Sequence, residues 1–113
     1  MHELSIAMNI IDIAEEYLEK AGASKVFEID IEIGELSGVI PEALEFAMNH
    51  AVKDSVLDNA KIKIIHIRGI AKCKLCSAEF AMKEPYTPCP ECSEYNSDII
   101  TGKEMRVKSL IVE

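Results

Sequence analysis

From residue 3 to residue 21, apolar residues recur every three or four positions, which is the spacing of one face of an α-helix. Gly22 follows directly and predicts the end of this helix, because glycine readily adopts the left-handed conformation found just after helices. We expect the apolar face to pack on a core. It consists of Leu4, Ala7, Ile11, Ala14 and Leu18, widened by Met8, Ile10 and Tyr17.

Strict alternation replaces the helical spacing in residues 26–33, VFEIDIEI. Apolar side chains at every second position predict a strand with one buried face. The opposite face carries Glu28, Asp30 and Glu32, which we interpret as the solvated side of the strand.

Pro41 predicts the start of a second helix, because proline fits the first helical position, where no amide hydrogen bond is lost. Glu42 and Glu45 lie near this start, where the positive end of the helix dipole favours acidic groups. The apolar face of this helix consists of Leu44, Ala47, Met48 and Ala51.

Two more strand-like segments, residues 62–70 and 104–112, flank an insert of different composition. Residues 72–98 are rich in Cys, Pro, Glu and Ser and show no apolar periodicity. The order of elements predicts an α/β fold in which a small sheet of about three strands packs with two helices. The two flanking strands could pair as a long hairpin that carries the insert at its tip.

Charge and length restrict the function. The 113 residues suffice for one compact core, and 49% of them are apolar. A net charge of −8 with 5% aromatic residues argues against nucleic-acid binding, which needs clustered basic residues and stacking platforms. No apolar run reaches the roughly 18 residues of a membrane helix, and acidic residues interrupt the start where a signal peptide would be apolar. We expect a cytoplasmic protein.

The four cysteines form two C-x-x-C pairs separated by twelve residues. Two such pairs can surround one tetrahedral Zn²⁺, and an insert with few apolar residues needs such a cross-link to fold. A closed four-thiolate site has no open coordination position, so we interpret it as structural. Redox-active dithiols, or iron in place of zinc, are alternatives that the spacing leaves open. The predicted zinc ligands are Cys73, Cys76, Cys89 and Cys92.

The first three residues, Met1, His2 and Glu3, offer a second set of metal ligands. The terminal amine, the His2 amide nitrogen and the His2 imidazole can chelate one ion, and the Glu3 amide could complete a plane. Planar nitrogen coordination suits Ni(II) or Cu(II). The first amides of a helix have no intrahelical acceptor, so ligation there breaks no helix hydrogen bond. The same residues also fit an ordinary helix start, because Glu3 suits a first turn.

Three stretches occur in a specific order: MHE at the start, then IGELSGVIPEALEFA, and then the paired C-x-x-C motifs before SLIVE. With these motifs, and over essentially its whole length, the chain resembles the HypA family of hydrogenase nickel-incorporation proteins. The resemblance implies that His2 is the essential nickel ligand, with Met1 and Glu3 supplying backbone nitrogens. It also implies zinc on the four cysteines.

The resemblance further implies a metallochaperone that carries Ni(II) as transient cargo and delivers it for maturation of [NiFe]-hydrogenase. The implied partners are the hydrogenase-maturation GTPase and the large subunit of [NiFe]-hydrogenase; urease accessory proteins and a homodimer are further options. No catalytic triad or phosphate-binding loop is recognisable, so we predict no enzyme. Some family members carry a histidine beside the cysteine pairs, where this chain has Ser77 and Ser93. A zinc-exchange role of such a histidine is therefore not expected here.

These interpretations give a nickel-binding α/β domain, residues 1–71 and 98–113, and an inserted zinc-ribbon-like domain, residues 72–97. The other two histidines, His50 and His66, lack partners at ligand spacing and are predicted to be packed or surface residues. The alternative function is a zinc-ribbon module for protein interaction without nickel delivery. It accounts for the cysteines but leaves the MHE start unexplained.

Overall fold

A computed structural model describes residues 3–113, so Met1 and His2 lie outside the described residues. Two helices and two three-stranded sheets confirm the predicted α/β fold. The elements are α1 (Glu3–Ala21), β1 (Val26–Gly34), α2 (Pro41–Ala51), β2 (Lys61–Ile67), β3 (Ile70–Cys73), β4 (Glu79–Ala81), β5 (Ser97–Thr101) and β6 (Met105–Val112).

Helix α1 ends as the sequence predicts. Gly22 adopts a φ of 65°, and the Ala23 amide donates to the Leu18 carbonyl across 3.0 Å, which is the closing bond of a Schellman motif. The predicted apolar face is only partly correct, because Leu4, Met8 and Tyr17 are 58%, 49% and 51% exposed. The apolar stripe of α1 is wider than the surface that the sheet and α2 cover. Its buried residues are Ile6, Ala7, Ile10, Ile11, Ala14 and Leu18.

The first sheet has β1 at its centre, with β2 parallel on one side and β6 antiparallel on the other. The predicted hairpin between the strands that flank the insert is therefore wrong. The connection through α2 returns β2 parallel to one edge of β1, and β6 occupies the other edge. Both helices cover the same face, where Ile29, Ile31 and Ile33 are buried in one core with residues of α1 and α2.

The opposite face of β1 is less solvated than predicted. Glu32 is only 8% exposed and accepts a charge-assisted hydrogen bond from the Arg106 guanidinium on β6. The Asp30 carboxylate accepts a hydrogen bond from the Ser109 hydroxyl at 3.1 Å. Cross-strand partners on β6 thus satisfy part of the acidic stripe.

The predicted strand 62–70 is two strands in different sheets. β2 ends at Ile67, and Ile70 begins β3. The break falls at Gly69, which lies against the Met82 carbonyl and the Leu36 side chain. An apolar run with one glycine does not reveal such a sheet change, because the contacts that require glycine come from distant segments.

The second sheet has the order β4-β3-β5, with both neighbours antiparallel to β3. A small core of its own contains Ala71, Phe80 and Met82 with two of the cysteines. Leu36, from the loop after β1, packs against this core and links it to the first sheet. The domain boundaries at residues 72 and 97 stay a prediction. Within residues 3–113 no helix combines the length and apolarity needed to cross a bilayer.

Candidate metal centres

Each C-x-x-C pair forms a tight turn, and the two turns are built alike. In the first, the Ser77 amide donates to the Cys73 carbonyl at 3.0 Å, and the Cys73 amide donates to the Ala78 carbonyl at 2.9 Å. In the second, the Ser93 amide donates to the Cys89 carbonyl at 2.8 Å, and the Cys89 amide to the Glu94 carbonyl at 2.9 Å. The two turns thus present their thiols in the same way.

The four sulfurs converge on one point. The Sγ atoms of Cys73 and Cys92 are 3.5 Å apart, as are those of Cys76 and Cys89, and all four lie within 4.8 Å of one another. Zinc–sulfur bonds of about 2.3 Å give a tetrahedron with edges of about 3.8 Å. No disulfide joins these cysteines. The donor set and its dimensions therefore fit a tetrahedral Zn²⁺.

The thiols influence one another's ionisation. The Cys76 amide donates to the Cys73 Sγ at 3.5 Å and, as the largest effect, lowers the pKa of the Cys73 thiol to about 7. The Glu94 amide lowers the pKa of Cys92, but the neighbouring thiols, Cys73 first, and burial together raise it to about 12. Four thiolates this close cannot all be charged without a cation, because each added negative charge disfavours the next.

The Lys74 side chain, beside the first cysteine turn, is already engaged. The Lys74 ammonium lies 3.4 Å from the Asp98 carboxylate, and the Lys74 amide donates to the Asn96 carbonyl at 2.8 Å. These contacts tie the first cysteine turn to β5. Backbone amides such as those of Cys76 and Glu94 are the groups that most lower the pKa values of the Cys73 and Cys92 thiols.

The predicted nickel ligands lie mostly outside the described residues. Glu3 is half-buried and opens α1, whereas Met1 and His2 precede the described part of the chain. Ile6 and Asn9 line a cavity together with Met105 and Arg106. The first turns of α1 therefore lie beside the start of β6, at the end of the first sheet where the chain crosses to the second sheet.

Neither of the other histidines joins a metal-ligating cluster in residues 3–113. His50 is exposed and stacks on Phe46, with ring centroids 4.5 Å apart. His66 is exposed on β2 and lines cavities with Pro41 and Glu45. Both are surface residues, as predicted.

The sequence showed Ser77 and Ser93 only as departures from the family pattern, but both have a structural role. Each adopts a left-handed backbone, with φ of 63° and 65°, immediately after the second cysteine of its pair. The repeated order C-x-x-C-S was the available signal, because a turn of this kind needs one residue at positive φ.

Comparisons with known proteins agree with this architecture. A family model described as hydrogenase/urease nickel incorporation, metallochaperone, HypA, matches residues 1–112. The hydrogenase maturation factor HypA of Parabacteroides distasonis is 45% identical over all of this chain and 98% of its own length. That of Geotalea uraniireducens is 40% identical over the full length of both.

Solved structures show the same fold. The solution structure of the Ni metallochaperone HypA from Helicobacter pylori is 31% identical with a TM-score of 0.71, covering 99% of this chain and 97% of that one. A second solution structure, of HypA protein, is 30% identical with a TM-score of 0.69 over 100% and 97% of the two chains. The sequence motifs, the four-cysteine cluster and the full-length similarity together show that the chain belongs to the HypA family of hydrogenase and urease nickel-incorporation metallochaperones.

Proposed function

We propose that this protein binds Ni(II) at its N-terminus and delivers it for the maturation of [NiFe]-hydrogenase. The family match carries the proposal, because it spans residues 1–112 and so includes the MHE start. His2 would supply the imidazole, Met1 the terminal amine, and Glu3 a further backbone nitrogen. In this role nickel is transient cargo, so the site must release the ion as well as bind it.

The start of α1 supports a releasable site. The first described residue, Glu3, is the first residue of the helix, and the first amides of a helix have no intrahelical acceptor. Helix ends also open at low free-energy cost. A site built largely from backbone nitrogens at the start of α1 could bind and release the metal without disturbing the core.

Zinc would have a separate, structural role on Cys73, Cys76, Cys89 and Cys92. Zn²⁺ there would neutralise thiolates and cross-link two turns that the small second core supports only weakly. In the cytoplasm, where thiols stay reduced, such cysteines bind metal in preference to forming disulfides. The partners proposed for this role are the hydrogenase-maturation GTPase, the large subunit of [NiFe]-hydrogenase and urease accessory proteins.

A nickel titration of untagged, zinc-loaded protein tests the proposal. His2→Ala should weaken Ni(II) binding by at least about tenfold, because losing even an outer-shell partner of a metal ligand typically costs about 10–100-fold in affinity. The chain contains three histidines, so His50→Ala and His66→Ala are matched controls that should leave the affinity unchanged. Unchanged affinity in His2→Ala would refute the N-terminal site. Loss of nickel binding only in a control would place the nickel site at that histidine instead.

A further inference from the structure

The free side of β2, which we name the β2 edge, is the most regular strand edge of the molecule. Within residues 3–113, β2 pairs with β1 alone, and this pairing runs from Lys61 to Ile67 without a register shift. The pairing of β6, the opposite edge of the first sheet, has two register shifts, and the edges of the second sheet are three and five residues long. The β2 edge therefore offers the longest uninterrupted row of backbone groups to another strand.

The helices leave the β2 side of the sheet partly uncovered. Ile62 and Ile64 face the same side as the buried core residues of β1, yet both are only half-buried. A cavity of about 190 Å³ lies between α2 and β2, where Met48 meets these two isoleucines. An extended segment lying about 4.8 Å beyond β2 would place every second side chain beside this cavity. Apolar side chains are expected at those positions.

The other face of β2 carries two exposed lysines. Lys61 and Lys63 lie in register with Glu28 and Asp30 of β1, but neither ammonium forms an ion pair within the part of the chain that the structure describes. Lysines on an edge oppose pairing with a neutral or basic strand. Acidic side chains opposite them would instead form favourable cross-strand pairs. The β2 edge is therefore selective for charge.

We propose that the β2 edge is a docking surface for an extended acidic segment of a partner protein, which joins the first sheet as a fourth strand. Antiparallel addition, the more stable arrangement, places acidic residues opposite Lys61 and Lys63. The residue opposite Ile65, which is half-buried on the same face, is apolar, and so are the residues that face the cavity. Along the segment the pattern is apolar, apolar, acidic, apolar, acidic. This inference does not depend on either metal site.

The complex forms reversibly. In this mode of recognition, main-chain hydrogen bonds provide affinity and alternate side chains provide selectivity. The seven residues of β2 span roughly 23 Å at about 3.3 Å per residue, so the contact lies below the size of stable protein interfaces. We therefore expect weak binding that depends on both the backbone pairing and the two lysines.

An NMR titration of untagged, zinc-loaded protein with the synthetic peptide GSVVEVESG tests the proposal. Amide resonances of residues 61–67 should shift, and hydrogen exchange of the β2 amides that point away from β1 should slow about tenfold or more. The peptide GSVVKVKSG should bind about tenfold more weakly, because its lysines would lie opposite Lys61 and Lys63. N-methylation of the acidic peptide at the amides that face β2 should abolish binding, whereas N-methylation at the amides that point away should be tolerated.

Charge exchange tests the selectivity. The double variant Lys61→Glu/Lys63→Glu should prefer GSVVKVKSG over the acidic peptide by about tenfold. Lys53→Glu/Lys103→Glu is the matched control, because it makes the same change in charge at exposed lysines outside β2; it should keep the preference of the wild type. Circular dichroism should show both variants folded.

Three results would overturn the proposal. In the first, the acidic peptide shifts no amide of residues 61–67 at millimolar concentration. In the second, N-methylation at the amides that face β2 leaves binding unchanged, so the lysines only attract acidic ligands. In the third, exchange of the β2 amides slows without peptide as the protein concentration rises, so a second copy of the chain occupies the edge.

Discussion

The backbone of Gly102 occupies the space where a side chain of Gly34 would lie. The Gly34 amide donates to the Glu104 carbonyl at 2.8 Å, and the Leu36 amide donates to the Gly102 carbonyl at 2.7 Å. Gly69 also lies against the Gly102 backbone. Three glycines from three segments thus bring the two sheets into backbone contact, and this contact fixes where the four-cysteine cluster lies relative to the first sheet.

Gly34→Ala should destabilise the protein by about 3 kcal/mol or more, because the new methyl group would overlap with immobile backbone. Urea unfolding of the zinc-loaded protein measures this loss. Gly38→Ala is the matched control. No atom lies within 4 Å of a Cβ at Gly38, but its φ is 83°, so only a backbone cost of about 1–2 kcal/mol is expected. Equal losses in the two variants would contradict the close approach at Gly34.

Ser77→Gly and Ser93→Gly should each stabilise the zinc-loaded protein by up to about 1.5 kcal/mol. Relief of the left-handed backbone is worth about 1–2 kcal/mol, and the greater chain entropy of glycine offsets about 0.5–1 kcal/mol of it. Thermal unfolding should show a rise of a few degrees. Ser5→Gly, on the exposed side of α1, should lower the midpoint instead. A fall in both cysteine-turn variants would mean that the serine side chains contribute more than the backbone costs.

Cys73→Ser should expel zinc and unfold the second sheet while the helices persist. The second core is small and includes Cys73 and Cys89 themselves, so losing the metal removes its main cross-link. The larger core around Ile29 and Ile31 contains no cysteine. Metal analysis should show zinc lost, and amide resonances of residues 70–101 should collapse while helical circular dichroism remains. Leu75→Ser, which changes an exposed residue of the same turn, should keep one zinc per chain; stoichiometric zinc in Cys73→Ser would refute the assigned ligand.

Arg106→Ala should lower the free energy of unfolding, because it leaves the Glu32 carboxylate buried without its guanidinium partner. Because 67% of the Arg106 side chain is exposed, solvent screens the pair, and the loss of stability should be smaller than for a fully buried ion pair. Adding Glu32→Gln should recover part of the loss, since the amide carries no charge to desolvate. Urea unfolding of the single and double variants gives the coupling free energy. Additive losses would show that the pair contributes nothing.

The sequence predicted the elements better than their arrangement. Apolar periodicity predicts α1, β1 and α2, Gly22 predicts the end of α1, and Pro41 predicts the start of α2. All of these signals are local in the sequence. The strands β3, β4 and β5 escaped notice because they are three to five residues long and depend on the cysteine turns for support. The position of β1 between β2 and β6 could not be predicted either, because the sequence of one strand does not indicate which distant strand it pairs with.

The candidate zinc site and its surroundings also contain features that the sequence predicts and features that it does not. The four cysteines were predictable as one site, because C-x-x-C spacing is itself a turn geometry. The role of Ser77 and Ser93 in the cysteine turns could be recognised only from their backbone φ angles. The burial of Glu32 could not be predicted, because its partner Arg106 on β6 lies 74 residues away along the chain. The sequence therefore predicts sites formed by residues close together in the chain. Contacts between distant residues become known only from the structure.

A free amine on Met1 should be essential for nickel binding, if the N-terminal site is correct. Acetylation or a short Gly-Ser extension before Met1 removes the terminal nitrogen as a ligand while His2 stays intact, so fused chelate rings can no longer close. A titration with Ni(II) should show affinity reduced about tenfold or more, with zinc content unchanged. The same Gly-Ser extension placed after Glu113 is the control and should bind like the untagged protein. Full affinity in the N-terminally extended form would show that His2 acts without the amine, and the ligand set would then have to be sought among other groups.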